Sequence, residues 1–382
     1  MNKIKVMTVF GTRPEAIKMA PLVKELESRE EVESIVCVTA QHRQMLDQVL
    51  DIFNITPDFD LNLMKNNQTL TSITVSALEG IDEVIRKSKP DIVLVHGDTT
   101  TTLSASLAAF YNKCDVGHVE AGLRTYNKYS PYPEEINRQV TGIIADMHFT
   151  PTNTSKENLI KEGKCSDDIY VTGNTAIDAL KTTIKKGYSN KILDKIKSDR
   201  MILLTAHRRE NLGENMENIF KAINKIVSEF NDVQVVYPVH LNPKVKTTAD
   251  EILGNNERIH LIEPLNVIDF HNFMSKSYLI MTDSGGIQEE APSLGRPVLV
   301  LRDTTERPEG VESGTLKLVG TNSKDIYDTA KELLIDKKSY EKMSKASNPY
   351  GDGLASKYIV DSIIKKYLNK YVKVNKNSKS NK

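Results

Sequence analysis

Residues 91–97 read DIVLVHG and residues 296–302 read RPVLVLR, and both runs are apolar at nearly every central position. A half-buried strand alternates apolar and polar residues, whereas a parallel strand covered on both faces reads as a continuous apolar run. Similar short runs alternate with helical patterns, such as residues 14–28 and 214–230, along most of the chain. This alternation predicts an α/β protein built on doubly wound parallel sheets.

The number of predicted strands favours two domains over one. The predicted strands are residues 4–10, 34–39, 92–96, 116–119, 148–150, 169–172, 202–205, 233–239, 259–262, 279–282, 298–301 and 316–319. A typical sheet has about four to six strands, and the pattern pauses at the Lys-rich residues 185–200. We therefore predict one Rossmann-like domain at residues 1–173 and a second at residues 174–353. The ligand is expected in the cleft between them, beyond the carboxyl ends of the strands.

The composition argues against several classes of protein. The 382 residues include 51 Lys+Arg and 51 Asp+Glu, and this zero formal charge disfavours a dedicated nucleic-acid binder. No apolar run approaches the ~18 residues that span a bilayer, and no secretory signal is evident, so we expect a cytoplasmic protein without a membrane anchor. The three cysteines stand far apart, which fits a reducing compartment. The last residues are rich in Lys, and we expect residues 372–382 to form a disordered basic tail.

Polar motifs follow the predicted strands of the first half. The motif GTRPEAIK, residues 11–18, places Arg13 and Lys18 either at the mouth of a site or on a solvated helix start. Asp98 follows the strand in DIVLVHG, where it would also suit the N-cap of a helix. Glu120 precedes a loop, and Glu134 opens a helix, where the helix dipole favours an acid in any case. Three carboxylates at successive edges indicate a site more strongly than any one of them.

Basic and glycine-rich motifs follow the strands of the second half. The motif LLTAHRRENLG places His207 and Arg208 just beyond a strand, which indicates either an anion site or a solvated basic turn. In MTDSGGIQEEAPSLG, residues 281–295, Ser284, Gly285 and Gly286 open a helix. Backbone N–H groups at such a helix start bind phosphate or diphosphate well. A set of further side chains in this half completes the candidate site: Glu290 for sugar hydroxyls, and Arg302 and Arg307 after the next strand.

Several familiar motifs are absent from the sequence. It has no G-x-G-x-x-G and no P-loop, so a nicotinamide cofactor is not expected. It has no H-x-x-x-H or C-x-x-C spacing, so no metal site is predicted. A Ser-His-Asp triad also lacks support, because no G-x-S-x-G elbow is present.

Nine motifs, taken in order, resemble those of the non-hydrolysing UDP-N-acetylglucosamine 2-epimerases: GTRPEAIKMAP, HGDTTTT, HVEAGLRT, SPYPEEINR, TAHRRENLG, YPVHLNP, TDSGGIQEEAPSLG, RDTTERPEG and NPYGDG. The resemblance covers about residues 3–370. It implies two Rossmann-like domains of the GT-B type, a homodimer, and a last helix at residues 354–371 that returns to pack on the first domain. The implied reaction interconverts UDP-N-acetylglucosamine and UDP-N-acetylmannosamine, for cell-surface polysaccharide, by anti elimination of UDP to 2-acetamidoglucal and re-addition. No cofactor and no metal are implied.

The resemblance also assigns roles to residues of this chain. It implies three groups: catalytic Asp98, Glu120, Glu134 and His207; UDP-binding Arg13, Lys18, Phe270, Ser284, Gly285, Gly286, Glu290 and Arg307; and, for a second UDP-N-acetylglucosamine that acts as an activator, Gln41, Gln44, Glu134, Arg208 and His240. Asn67 stands where close relatives place an Arg toward that activator. Losing one charge-assisted contact should weaken activator binding by ~1.5–3 kcal/mol.

Three other functions remain open from the sequence. A hydrolysing 2-epimerase would use the same fold and release N-acetylmannosamine and UDP. A GT-B glycosyltransferase would pass the sugar to an acceptor and would share the SGG helix start. A non-enzymatic nucleotide-sugar sensor is disfavoured, because binding alone does not need so many carboxylates near an anion.

Overall fold

A computed structural model of the chain describes residues 3–40, 43–63, 68–196, 200–305 and 307–380, with the backbone alone at residues 43–45 and 370–380. These residues fall into two compact units, Met1–Ala179 with Tyr350–Lys382, and Leu180–Pro349. The boundaries differ by a few residues from the expected 173 and 353, because helix Thr175–Thr183 begins in the first unit and ends in the second.

The first unit contains a parallel sheet of seven strands. Its elements are β1 Ile4–Phe10, α1 Arg13–Glu27, β2 Val32–Val38, α2 Arg43–Phe53, β3 Phe59–Asp60, α3 Leu70–Ser88, β4 Ile92–His96, α4 Thr100–Tyr111, β5 Asp115–Val119, α5 Glu134–Ile144, β6 Met147–Thr150, α6 Asn153–Lys161, β7 Ile169–Val171 and α7 Thr175–Thr183. The strand order is β3-β2-β1-β4-β5-β6-β7. All residues of β4 are buried, as its unbroken apolar run predicts.

Both faces of this sheet are covered by helices. On one face, Met19 and Leu22 of α1 pack with Ile359 and Ile363 of the last helix. On the other face, Ile81 of α3 lies in a cluster with residues of α4. This double covering is why the central strands carry apolar side chains on both sides.

The second unit contains a parallel sheet of six strands. Its elements are α8 Lys191–Lys195, β8 Arg200–Thr205, α9 Glu214–Glu229, β9 Val233–Pro238, α10 Pro243–Leu253, β10 Ile259–Ile262, α11 Val267–Lys276, β11 Leu279–Thr282, α12 Gly285–Ser293, β12 Val298–Val300, α13 Pro308–Glu312, β13 Leu316–Leu318, α14 Ser323–Ile335 and α15 Lys337–Ser344. The strand order is β10-β9-β8-β11-β12-β13. In both sheets the first and fourth strands of the unit are neighbours, which is the Rossmann order.

The last helix, α16 at Ala355–Ser380, belongs to the first unit. Its first turn is held by Asp178 of α7, whose carboxylate accepts the backbone N–H groups of Ala355 and Ser356 at 3.2 and 2.8 Å. Farther along, the hydroxyl of Tyr367 donates to Asp115 at 2.6 Å. The helix continues to Ser380, beyond the expected end at residue 371. The physical reason is that no Gly or Pro follows Gly353 to end the helix.

Within the described ranges, no helix is long and apolar enough to cross a membrane. The same ranges contain no group of three or more His, Cys, Asp or Glu side chains placed to hold a metal ion.

Candidate active site

The strand order of each sheet locates a candidate site at the point where the order reverses. In Rossmann sheets ligands bind beyond the carboxyl ends of the first and fourth strands, where the connecting loops separate. In the first unit these are β1 and β4, followed by residues 11–13 and by Gly97 and Asp98. In the second unit they are β8 and β11, followed by residues 206–208 and 283–285. The predicted motifs therefore lie at both reversal points.

Glu15, a residue that the sequence motifs did not single out, ties two loops of the first unit together. Its carboxylate accepts the backbone N–H groups of Gly11 and Thr12 at 3.2 and 2.8 Å and the hydroxyl of Thr99 at 2.7 Å. Burial raises the pKa of this carboxyl, although the hydrogen bonds oppose the shift. A Cβ at Gly11 would overlap the hydroxyl of Thr39, so only glycine fits this turn. The signal that finds Glu15 is Thr12-x-x-Glu15, a capping box.

Glu120 stands between two polar side chains of the first unit. Lys18 forms a short ion pair with its carboxylate, and Nδ2 of Asn174 donates to the same oxygen at 2.9 Å. The backbone of Glu120 has φ of 61°, which is unusual for a residue with a side chain. Such strain persists where the surrounding structure enforces it, and it is most frequent at functional sites.

Asp98 is paired with Arg138, a second residue that sequence reasoning missed. Nη2 of Arg138 donates to Oδ2 of Asp98, and both side chains are largely buried. The pKa of Asp98 is raised chiefly by burial; Arg138 opposes the shift, while the negative charges of Glu120 and Glu134 add to it. Glu120 and Glu134 thus both act electrostatically on Asp98, as neighbouring carboxylates of a single site would.

Glu134 begins helix α5, as predicted, and its neighbour Glu135 is fully buried. Burial acts to raise the pKa of Glu135, but hydrogen bonds from Gln139 and from the N–H groups of Thr125 and Tyr126 outweigh it, and the pKa is lowered. Glu135 also lies 3.6 Å from Arg138. It therefore anchors both the loop before α5 and the arginine that holds Asp98.

Three buried histidines lie on the neighbouring strands β4, β5 and β6 of the same sheet. Burial lowers the pKa of His96 to about 4, that of His118 to about 3 and that of His148 to about 4. Nε2 of His118 lies 2.7 Å from the carbonyl oxygen of Gly97, and Nε2 of His96 lies 3.8 Å from Glu120. All three rings are neutral at pH 7, so they add no positive charge to the site.

His207 occupies the end of β8 in the second unit, as predicted, and faces Asp283 at the end of β11. Nδ1 of His207 lies 3.2 Å from Oδ1 of Asp283. The other carboxylate oxygen accepts the backbone N–H groups of His207 and Arg208, each at 2.8 Å. Asp283 was not singled out from the sequence, although an acid directly after a strand and before S-G-G was a usable signal.

Two predicted activator residues lie beside His207. The ring of His240 stacks on that of His207, with centroids 5.4 Å apart and planes 13° from parallel. Nε of Arg208 donates to the main-chain oxygen of Asp283 at 2.9 Å. Of the other residues expected at the activator position, Gln41 and Asn67 lie outside the described residues, and for Gln44 only the backbone, in α2, is described.

The glycine-rich motif opens helix α12, with Ser284 at its N-cap and Gly285 and Gly286 in its first turn. One turn farther, Glu290 lies 3.5 Å from Nε2 of His271. The Nδ1 atom of His271 lies 2.7 Å from the hydroxyl of Thr183. The ring of Phe270 meets His271 edge-on, with centroids 6.5 Å apart. The predicted phosphate-binding helix start and the predicted hydroxyl-binding carboxylate are therefore on one helix.

Arg307 is held by a buried acid of the same helix α12. Its Nε donates to Glu289 at 2.6 Å, and Glu289 is 2% exposed. Arg13, in the first unit, is half-buried, and burial lowers its pKa. Among the residues that the structure describes, Arg13 has no carboxylate partner. Arg13 therefore has its charge available for an anionic ligand, while Arg307 is already oriented by Glu289.

Two parallel Rossmann sheets, with buried acids at one reversal point and a glycine-opened helix at the other, define an α/β protein of the GT-B type. A protein-family model described as UDP-N-acetylglucosamine 2-epimerase matches residues 24–364. The chain belongs to the UDP-N-acetylglucosamine 2-epimerase family.

Individual relatives agree with this assignment. The chain is 69% identical over 367 residues to the UDP-N-acetylglucosamine 2-epimerase of Bacillus subtilis (strain 168), covering 96% of this chain and 97% of the relative. The crystal structure of a Listeria monocytogenes protein described as a putative UDP-N-acetylglucosamine 2-epimerase superposes with a TM-score of 0.93 at 60% identity. The match covers 96% of this chain and 97% of the other. The Neisseria meningitidis enzyme bound to UDP-GlcNAc superposes with a TM-score of 0.86 at 52% identity, covering 95% and 100%.

Proposed function

We propose that the protein interconverts UDP-N-acetylglucosamine and UDP-N-acetylmannosamine by inverting C2, and that UDP returns to the sugar instead of being replaced by water. The observation that carries the proposal is the group of Asp98, Glu120 and Glu134, with Lys18 and Arg138, in one unit. A binding protein does not need several partly buried carboxylates that repel one another, whereas proton transfer on two faces of a ring does.

In the first half-reaction, a carboxylate removes the proton at C2. The electron pair of that C–H bond forms the C1–C2 double bond, and the C1–O bond breaks with its electron pair leaving on the diphosphate. In the second half-reaction, a carboxylic acid protonates C2 from the opposite face, and a diphosphate oxygen forms a new bond to C1. The C2 proton is not acidic, so a positioned base and strong stabilisation of the departing diphosphate are both required.

We assign the proton transfers to Asp98, Glu120 and Glu134. Asp98 suits the role because its raised pKa brings the carboxyl closer to working pH. Lys18 and Asn174, which both contact Glu120, keep that carboxylate in one orientation.

We assign the diphosphate to His207, Arg13 and the start of helix α12, and the nucleoside to residues around Glu290. Three or more N–H groups at the beginning of a helix favour an anion, and glycines at residues 285 and 286 let it approach closely. Glu290 would accept hydrogen bonds from the ribose hydroxyls, with His271 behind it. Arg307, oriented by Glu289, adds positive charge.

Incubation with UDP-N-acetylglucosamine in D₂O, followed by proton NMR, tests the function. Intact UDP-N-acetylmannosamine with deuterium at C2 is the expected product. Free N-acetylmannosamine would instead indicate a hydrolysing enzyme, and turnover only with an added acceptor would indicate a glycosyltransferase. If no deuterium enters at C2 and no product forms, the result would indicate a nucleotide-sugar sensor.

The role of His207 is tested by His207→Gln. We expect a large fall in kcat and a much smaller change in UDP affinity, because the ring acts on the charge that develops as UDP leaves. His260→Gln is a matched control in the same unit, since Nε2 of His260, on edge strand β10, lies 2.6 Å from Gln234 on β9, and both residues are near the amino ends of their strands. An unchanged rate in His207→Gln would remove the assigned role.

The resemblance carries further proposals of the same kind. We propose that the enzyme works in the cytoplasm as a homodimer, that its product supplies cell-surface polysaccharide, and that a second UDP-N-acetylglucosamine activates it. Initial rates from UDP-N-acetylmannosamine, with and without added UDP-N-acetylglucosamine, test the activator. Because Asn67 replaces an Arg, the concentration of UDP-N-acetylglucosamine needed for activation should be raised, and Asn67→Arg should lower that concentration. A full rate without UDP-N-acetylglucosamine would exclude activation.

A further inference from the structure

The carboxylate of Asp283 is more deeply buried, and accepts more hydrogen bonds, than its position directly after a strand requires. The residue is fully buried, and its Oδ2 accepts three donors: the backbone N–H groups of His207 and Arg208 and Nδ2 of Asn211 at 3.1 Å. Its Oδ1 lies 3.2 Å from Nδ1 of His207 and, among the described residues, has no regular hydrogen bond to that ring or to any other group. One oxygen thus holds the turn, and the other is directed at the ring.

We propose that Asp283 is a positioning residue that holds the imidazole of His207 as the Nδ1–H tautomer, leaving Nε2 as the nitrogen that meets the ligand. The proposal rests on the proposed function, in which His207 acts on the departing diphosphate. A carboxylate only accepts hydrogen bonds, so the nitrogen that faces it carries the proton. The ring of His240, which stacks on one face of the His207 ring, limits movement of the imidazole toward that side.

The carboxylate has the charge that this role needs. Burial acts to raise the pKa of Asp283, but the contact with His207 and the N–H groups of residues 207 and 208 outweigh it, and the pKa is lowered. The anion therefore persists in a buried position. An anion at Nδ1 stabilises the protonated ring, which is the form that carries a proton on both nitrogens.

The proton balance of the step follows from this arrangement. As the C1–O bond breaks, the diphosphate takes the electron pair, and Nε2–H of the protonated ring donates its hydrogen bond or its proton to a phosphate oxygen. If the proton moves, a neutral ring with Nδ1–H remains against Asp283. In the return step the phosphate oxygen gives the proton back to Nε2 as it attacks C1. Asp283 itself gains no proton.

Asp283→Asn tests the proposal because an amide cannot reproduce both contacts. The amide oxygen has to accept the two backbone N–H groups, so the NH₂ group faces Nδ1 and forces the Nε2–H tautomer. We expect kcat to fall at least 30-fold while the Kd for UDP changes less than about threefold. Asp178→Asn is the matched control, because Asp178 is also a buried acid that accepts two backbone N–H groups but belongs to the helix α16 contact. Its kcat should stay within about twofold of wild type.

A double-mutant cycle separates positioning from general damage. If Asp283 acts through His207, the Asp283→Asn/His207→Gln variant loses no more kcat than His207→Gln alone. Multiplying losses would overturn the proposal, as would an Asp283→Asn variant within threefold of wild type. If wild type fails to epimerise, the proposed function fails, and the tautomer can still be measured.

That measurement uses ¹⁵N spectra of the histidine rings of the full-length wild-type protein at about pH 9, well above the ~6.5 of an ordinary histidine. The His207→Gln variant identifies the His207 signals. An Nδ1–H tautomer supports the inference. An Nε2–H tautomer overturns it, even if Asp283→Asn does not fold.

Discussion

Nη2 of Arg138 donates to Oδ2 of Asp98, so a cation on helix α5 holds an acid that follows strand β4. The pKa of Asp98 is raised by burial, and Arg138 limits the rise. The fraction of Asp98 that is ionised at a given pH therefore depends on a residue forty positions away in the chain.

Replacing Arg138 by Met should move the acidic side of the pH–rate profile. Without the cation the pKa of Asp98 rises further, so the carboxylate becomes protonated, and unable to act as a base, at a higher pH. We expect the lower apparent pKa of kcat to increase by at least one unit, measured over about pH 5–9. Arg29→Met is the control, since Arg29 pairs with Glu25 and Asp361 in the same unit. A profile that only falls in height would show that Arg138 is structural.

Replacing Lys18 by Met should lower kcat by about 10- to 100-fold, or ~1.4–2.7 kcal/mol. The lysine contacts Glu120 and, in the proposed mechanism, lies near the diphosphate, so the change removes both an orienting contact and a positive charge. Steady-state kinetics with UDP-N-acetylglucosamine measure the loss. Lys24→Met on the same helix removes a surface pair with Glu27 and a hydrogen bond to the main-chain oxygen of Asn54, and it should have the wild-type kcat. Equal kinetics for both variants would contradict the role of Lys18.

Glu15→Gln and Glu15→Ala should differ sharply in stability. Gln can keep one oxygen toward the N–H groups of Gly11 and Thr12 and turn its NH₂ toward Thr99, so the free energy of unfolding at pH 7 should change by less than ~1 kcal/mol. Ala leaves buried donors without an acceptor, and we expect a loss of about 2–4 kcal/mol. Urea unfolding measures both.

The difference in stability between wild type and Glu15→Gln should also depend on pH, with a definite sign. Because burial raises the pKa of Glu15, the folded state carries a penalty for the ionised carboxyl at any pH above that raised value. The penalty disappears as the pH falls through the folded-state pKa toward about 4.5. Wild type should therefore gain stability relative to Glu15→Gln on acidification. A difference that stays constant from pH 7 down to about pH 4.5 would contradict this.

The buried histidines should make the protein sensitive to acid. The pKa of His148 is lowered to about 4 by burial, from an ordinary 6.5, so only the unfolded chain binds a proton between these values. Stability is fully present above pH 6.5 and falls toward pH 4, by up to ~1.4 kcal/mol per pH unit for each such group. In His148→Leu, unfolding near pH 5 should take up about one proton fewer than in wild type. The slope of the free energy of unfolding against pH should therefore be lower by the amount that corresponds to one proton. An unchanged slope would rule out this contribution.

The sequence predicted most of the fold because buried parallel strands have a plain signature. The strands at residues 92–96, 259–262 and 279–282 were predicted with the bounds that they have in the structure. Strand β3, Phe59–Asp60, was missed, since two residues are too short to show a period. The extent of helix α16 was also missed, because a Lys-rich end carries no apolar pattern that distinguishes helix from disorder.

For the site, the sequence by itself determined which polar groups follow which strands: the acids Asp98 and Glu120, His207, and the glycine-opened helix at residues 285–286. Those groups are local to a motif, and parallel strands bring their carboxyl ends to one edge. Only the tertiary structure decided their partners. Arg138 on Asp98 and Asp283 on His207 are contacts between residues that the sequence separates and the sheet brings together. Charge state and ring orientation depend on such neighbours and on burial, and neither is a property of a motif.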